Sequence, residues 1–319
     1  MKTWPGCQNR SMGRYQMGFI DRADVTELAP NLYVIAGRNK SRFPFCNAFL
    51  MTGDETVLID TGIGRQKLKA IDAECRIDRV LISHPHPDHI IGLDLLWDRT
   101  LMLPKETPAG VDDLLSLGKR FTGSEENGRL WAEFASNKLG LEPLREPDGR
   151  FRHGDVLDFG RIKLEAIHAP GHLKDHYCFF EPESRTLLTT DIDFSGFGPW
   201  YGNPECEIEP FIEGIRRVMA YPYERVCSSH KPAIEGDATE YFEKFLEGFE
   251  KHRQMILKLC HQPARLDQMT AASPFYHDRL TDKTIQYLFE RNMIRKNLDL
   301  LMRDGRVYAE NGLFYRMDR

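Results

Sequence analysis

The chain lacks a C-x-x-C pair: its seven cysteines stand singly at Cys7, Cys46, Cys75, Cys178, Cys206, Cys227 and Cys260. The odd, scattered count argues against a disulfide framework and fits reduced, mostly buried thiols of a cytosolic protein. Long apolar runs are missing too. The lead-in "MKTWPGCQNRSMGRYQMGF" has none of signal-peptide length, and no later stretch approaches the roughly 20 residues of a membrane helix. We therefore expect a soluble, cytoplasmic protein without membrane contact. Low-complexity segments and repeats of obvious period are absent. So is a strong surplus of charge: the formal net charge is −5, which argues against a strongly basic nucleic-acid binder. What remains is an ordinary globular composition, 41% hydrophobic and 29% charged over 319 residues. That is enough chain for one large domain and an appendage.

Short β-rich runs come first: "LYVIAG" (32–37), "FCNAFLMTG" (45–53) and "TVLIDTG" (56–62), with Gly53-Asp54 as a hairpin signal. A helical pattern at 66–74 precedes a strand at 79–83. Helical spacing returns in "DHIIGLDLLWD", where Asp88 can cap the start. Residues 108–140 look mainly helical. Four strand candidates follow, "VLDFG", "IKLEAIHAPGH", "HYCFFEP" and "RTLLTTDID". Next come an amphipathic helix at 208–221, in which Phe211, Ile215, Val218 and Met219 share a face, and a short strand, "RVCSSH". Strands and helices mixed in this way predict an α+β fold, a β-sandwich covered by helices.

From Tyr241 the character changes. The pattern predicts a long helix to about Leu259, a polar link at Gln262-Pro263, two helices in "DKTIQYLFERN" and "RKNLDLLMRDG", and a hairpin around Asn311-Gly312. We divide the chain into a catalytic domain, 1–261, and a small helical, winged-helix-like C-terminal module, 262–319.

"VLISHPHPDHIIG" (80–92) gathers His84, His86, Asp88 and His89 just beyond a strand end. Histidine and carboxylate are ligands for zinc and similar cations, and Pro85 and Pro87 stiffen the loop that carries them. Four donors so close suit two metals better than one. Three more apolar strands end in a donor: His172 in "HAPGH", Asp191 in "TTDID" and His230 in "SSHKP". Function usually sits at such termini.

The string H-x-H-x-D-H resembles the signature of the metallo-β-lactamase superfamily. "LIDTG" (58–62), "APGH", "TTD" and the late His230 match in order, over roughly residues 28–235. The resemblance implies an αββα sandwich with metals at one edge. It implies that His84, His86 and His172 bind one ion, that Asp88, His89 and His230 bind the other, and that Asp191 bridges them. Asp60 would orient ligands rather than bind metal. His168 and His176 do not match ligand positions and are expected to make hydrogen bonds.

Two divalent ions, zinc first, with iron or manganese accepting the same donors, would share a bridging hydroxide as nucleophile. Asp88 would carry the proton. The expected reaction is hydrolysis of a small ester, thioester or lactone, resembling hydroxyacylglutathione hydrolases. "TTD" stands where that family has "TGD", and the terminal helices show no glutathione pattern. Two alternatives remain. From Lys251 to Arg319 there are 13 Lys/Arg against 8 Asp/Glu and the module looks winged-helix-like, so a nuclease or phosphodiesterase acting on nucleic acid is one. A mononuclear iron oxygenase on a sulfur substrate is the other. The module could also serve a homodimer. The loop "DFSGFGPWYGNPE" (193–205) is expected to wall the metals with Phe194, Phe197, Trp200 and Tyr201, and "RFPFCN" (42–47) is a second candidate for the rim.

Overall fold

Alternating side-chain direction along the strands decides the layers. In the computed structural model, which describes residues 22–277 and 279–317, a seven-stranded sheet runs in sequential order β1 to β7. Its strands are β1 (Val25–Ala29), β2 (Leu32–Ile35), β3 (Ala48–Thr52), β4 (Thr56–Ile59), β5 (Arg79–Leu81), β6 (Thr100–Pro104) and β7 (Gly149–Phe151). The second sheet has the order β13-β12-β11-β10-β9-β8. It comprises β8 (Val156–Asp158), β9 (Lys163–His168), β10 (Tyr177–Glu181), β11 (Thr186–Thr190), β12 (Arg225–Ser228) and β13 (Ile234–Glu235). The lead-in with Cys7 lies outside the described residues; the other six cysteines are buried and unpaired.

Phe49 and Met51 of β3 meet Tyr177 and Phe179 of β10 and Leu188 of β11 in a core between the sheets. Their strand neighbours Ala48 and Leu50 face the other way, toward Leu68, Phe121 and Trp131 of the outer helices. Cys178, Phe180 and Leu187 likewise face helices on the far side of the second sheet. A side-chain period of two thus yields helix, sheet, sheet, helix, with the central strands β2, β3, β4, β10 and β11 buried on both faces. This is the αββα sandwich that the sequence implies.

Helices occupy Arg65–Glu74, Leu114–Thr122, Glu125–Phe134, Ile208–Met219 and Thr239–Leu259. The segment after the histidine cluster departs from expectation. It is a single turn, Pro87–Ile90, followed by a 3₁₀ turn, Leu93–Leu96, and Gly92 between them sits at φ 96°. Asp88 lies within the first turn and does not cap it; His86 holds the cap position. Proline at the first helical position favours the start there, which frees the Asp88 carboxylate for the cavity.

The C-terminal helices also differ. Lys283–Arg303 is one continuous helix, not two. Nothing in "RNMIRK" breaks it, and Met293, Ile294, Leu298 and Leu301 keep one buried stripe through the expected break. Helix Leu266–Ala271 precedes it, and β14 (Val307–Glu310) pairs with β15 (Leu313–Arg316) behind it. Asn311 and Gly312 have φ of 50° and 75°, the twin positive values of a type I′ turn. Met293, Leu301, Val307 and Phe314 pack in the same core as Ile215, Val226 and Phe249. The C-terminal segment therefore completes the second outer layer.

Candidate active site

Every predicted donor emerges just past a strand end, on one edge of the sandwich. Asp60 follows β4, the His84–His89 loop follows β5, His172 follows β9, Asp191 follows β11 and His230 follows β12. Two glycines make the convergence possible. A Cβ on Gly62 would stand 1.5 Å from the carbonyl oxygen of Asp88, and one on Gly171, at φ 126°, would stand 2.3 Å from the backbone of Phe211. Only glycine lets "LIDTG" and "APGH" press so closely on their neighbours.

The seven side chains form two groups that share Asp191. His84, His86, His172 and Asp191 offer donor atoms within 4.8 Å of one another, as do Asp88, His89, His230 and Asp191. Asp191 divides its oxygens between them. Oδ2 lies 3.3 Å from His172 Nε2 and 3.7 Å from His84 Nε2. Oδ1 lies 3.0 Å from His89 Nε2 and 3.5 Å from His230 Nε2. Asp88 Oδ2 is 3.4 Å from His230 Nε2.

Each histidine has one ring nitrogen engaged away from the centre and the other facing it. His172 Nδ1 donates to the Trp200 carbonyl at 3.0 Å and His230 Nδ1 to the Ser41 carbonyl at 2.6 Å. His89 Nδ1 donates to Asp60 Oδ2 at 2.7 Å, and His84 Nδ1 lies 3.0 Å from Ser83 Oγ. Asp60 also accepts from Ser83 N and Oγ, both at 2.8 Å, so its oxygens are spent on orienting neighbours. His86 is turned the other way: Nδ1 faces His84 and His172 at 3.1 and 2.8 Å, while Nε2 is 2.8 Å from the Asn203 amide nitrogen. Asn203 Oδ1 is buried without a partner. Half a turn of that amide lets Oδ1 accept from His86 Nε2–H, which leaves the Nδ1 lone pair toward the centre. Outer bonds of this kind fix the tautomer and aim of metal-binding imidazoles.

His168 and His176 are not among the donor groups, although the His176 ring packs edge-on against His84 and His172 at 5.1 and 5.4 Å. His168 Nε2 bonds the Lys174 carbonyl, and His176 links the Ala169 carbonyl to Thr190 Oγ1.

The donor set fits cations. His89 Nε2 and Asp191 Oδ1 are buried, face each other at 3.0 Å and are not aligned for a hydrogen bond, and among the described residues neither has a hydrogen-bond partner. Such orphaned polar atoms are costly unless something binds them. Burial, then neighbouring histidines, pushes His84 and His86 well below the ordinary imidazole value, so both keep lone pairs to donate. Burial also lowers His230, but the Asp191 charge, joined by Asp88 and Asp193, overcomes it and raises the ring to about 10. Concentrated negative charge here draws a cation, proton or metal.

A cavity of about 810 Å³ opens over these groups. Trp200 stands edge-on to His86 at 5.2 Å, and Phe121 lies 5.4 Å from the same ring. Phe197 contributes from the glycine-rich loop as expected, and Phe43 and Arg42 from "RFPFCN". Tyr201, expected on that wall, does not line the cavity. It is fully buried, bonded through its hydroxyl to His252 Nδ1 and Asn297 Nδ2 at 2.9 Å each. Phe194 also turns away, to pack on Phe242.

The sequence reading did not find Asn203, Phe121, Trp131, Tyr276 or Phe289 as site residues, yet all line the cavity. Nor did it find the turn at Arg38–Ser41. There Asn39, Lys40 and Ser41 have φ of 51°, 57° and 55°, a left-handed run costing about 1–2 kcal/mol per residue. It delivers the Ser41 carbonyl to His230.

Among the described residues no helix is long and apolar enough to cross a membrane. Over 304 residues the chain is 24% identical to an atrochrysone carboxyl ACP thioesterase of Passalora fulva, covering 90% of this chain and 80% of that one. It is 22% identical to a beta-lactamase-like protein 2 homolog of Caenorhabditis elegans, covering 89% and 88%. A metallo-beta-lactamase family protein of Thermus thermophilus shares the fold with a TM-score of 0.67, at 20% identity, over 91% of this chain and 100% of that one. The model of the Metallo-beta-lactamase superfamily matches residues 42–247. Because that match takes in both sheets' site-bearing edges and all seven converging donors, the chain belongs to the metallo-beta-lactamase superfamily.

Proposed function

We propose that this metallo-hydrolase cleaves an ester or thioester, with thioesters preferred, and that it does so with two divalent ions. The observation that carries the reading is the division of Asp191, one oxygen to each donor group, on the floor of an aromatic-walled cavity. His84, His86 and His172 would hold one ion and Asp88, His89 and His230 the other. Seven donors exceed what a mononuclear oxygenase needs. The thioester preference is supported by the relative named as a thioesterase, which aligns over most of both chains.

When bound, such ions acidify a water to a nucleophile near neutral pH and polarise the substrate carbonyl. The protein's own part is positional. Outer bonds at Asp60, Ser41, Asn203 and the Trp200 carbonyl keep the imidazoles aimed inward. Asp88 Oδ2, between His89 and His230, takes up the proton lost by the attacking water and returns it to the leaving thiol. Trp200 and Phe121 exclude bulk water beside His86. We read residues 262–319 as a module that closes this cavity, through Tyr276, Arg279 and Phe289.

Elemental analysis of protein purified without added metal, followed by a thioester, lactone, phosphodiester and RNA panel, tests this reading. Close to two equivalents of metal and fastest turnover of thioesters are expected. One equivalent of iron with oxygen consumption would overturn it.

A further inference from the structure

The walls of the cavity differ in chemistry from one donor group to the other. Beside His86 the lining is aromatic: Trp200 and Phe121 touch the ring, Phe289 packs 5.3 Å from Trp200, and Trp131 packs 5.2 Å from Phe121. Beside His230 the lining is cationic. The His230 ring bonds the Ser41 carbonyl, and the next residue along each chain segment, Lys231 and Arg42, lines the cavity with an exposed side chain. Among the described residues neither side chain has an ion-pair or hydrogen-bond partner. The acidic lining residues are already engaged. Asp88 and Asp191 belong to the donor groups, and Asp193, half-buried in the cavity wall, accepts from Ser195 N at 3.0 Å. The left-handed turn at 39–41 holds Arg42 at the mouth, so a costly backbone conformation places one of these two cations.

Resting on the metallo-hydrolase reading above, we propose that the substrate is two-faced. It carries an aryl or similarly bulky apolar group on one side of the scissile carbonyl, seated against Trp200 and Phe121. It carries a carboxylate or phosphate on the other side, bound by Arg42 and Lys231. Guanidinium and ammonium groups with no internal partner are suited to charge-assisted bonds with such anions. In the reaction water adds its oxygen to the acyl carbon and the C–S or C–O bond breaks. The thiol or alcohol departs with one proton, and the acid leaves as carboxylate with release of the other.

The test compares three thioesters on the metal-loaded protein: S-benzoyl-3-mercaptopropionate, S-benzoyl phosphopantetheine and the neutral S-benzoyl-N-acetylcysteamine. We expect at least one anionic thioester to exceed the neutral one about tenfold or more in kcat/KM. The carboxylate and phosphate arms decide which anion is preferred. In the double variant Arg42→Ala/Lys231→Ala that ratio falls to within about twofold of unity. Equal kcat/KM in the wild type, or a ratio untouched by the double substitution, overturns the proposal. A separate measurement keeps it independent of turnover. By calorimetry, the thioether S-benzyl-3-mercaptopropionate, which cannot be hydrolysed, is expected to bind about tenfold tighter than its neutral amide to the wild type but not to the double variant. If no thioester is turned over while this difference stands, the hydrolase reading fails and the anion site survives. If acid and amide bind alike, the anion site fails.

Discussion

His172 and Trp200 are joined through the backbone: the imidazole Nδ1 donates to the Trp200 carbonyl at 3.0 Å, while the indole ring lies 5.6 Å from the imidazole and bonds the Tyr276 hydroxyl. The carbonyl aims a donor and the ring shapes the cavity, so the two roles separate on mutation. Trp200→Ala keeps the carbonyl. It should raise KM about tenfold or more while metal content stays within about 20% of wild type, an order-of-magnitude expectation from lost aromatic contact. Steady-state kinetics beside elemental analysis checks it, and unchanged KM would show that the ring does not meet substrate.

Asp60 touches no substrate-facing surface, yet it fixes His89 and Ser83. Asp60→Asn keeps the shape but removes the charge that orients the His89 ring. Loss of an outer partner weakens metal binding about 10–100-fold. Competition with a chromogenic chelator should show the His89 site weakened more than the other, since Asp60 bonds His89 directly and reaches His84 only through Ser83 Oγ. Equal weakening of both would mean that the groups do not act separately.

His86→Ala should abolish tight binding of at least one ion and nearly all turnover. Its Nδ1 faces both His84 and His172, and no other described side chain can replace it. Full activity with unchanged metal content would refute the assignment.

The seven donors are legible in the sequence because each is a ligand residue type at a strand end, and four of them crowd into six residues. Asn203 is not: it meets His86 across 117 positions, and an asparagine in "YGNPE" reads as a turn former. Phe289 and Tyr276 are hidden for a related reason. They lie in the C-terminal segment, whose helical pattern reports burial but not the partner it is buried against. Short apolar runs bounded by turn residues place the strands, because the central ones are packed on both faces; helical periodicity places the helices. It fails at "RNMIRK", where a polar run on a solvent face looks like a break while Met293 and Ile294 carry the buried stripe across. Asp88 reads as a cap because aspartate before an apolar run commonly is one; Pro87 moves the helix start two residues earlier.

Arg120 ties the helical insertion to the site loops. Its guanidinium bonds Asp175, next to the His172 and His176 segment, and Glu205, beside the Asn203 loop. Asp175 is fully buried. Burial works against the Arg120 charge, but Asp175 and Glu205 prevail and hold it above the ordinary guanidinium value. Arg120→Met leaves the Asp175 carboxylate buried without its partner, which costs about 3–5 kcal/mol. Denaturant unfolding should show a loss of that order, and Asp175→Asn added to Arg120→Met should recover part of it. A loss below about 1 kcal/mol would mean that water reaches Asp175 in the variant.

His252 links the aromatic loop to the long Thr239–Leu259 helix in its neutral form: Nδ1 accepts from the Tyr201 hydroxyl, and Nε2 donates to the Phe197 carbonyl at 3.2 Å. Burial lowers its pKa from 6.5 to about 4. Between those values the unfolded chain binds a proton that the folded chain refuses, so stability falls as pH falls. The contribution is fully present above about pH 6.5 and lost progressively toward pH 4. Its size is about 3 kcal/mol, taking about 1.36 kcal/mol per pKa unit. His252→Gln carries no titrating ring. It should therefore be less stable than wild type at pH 7, and the gap should narrow by about that amount as pH drops to about 4. Unfolding curves at about pH 7, 5.5 and 4.5 read the trend directly. Parallel losses in the two proteins would show that other buried groups, such as His176, set the acid sensitivity.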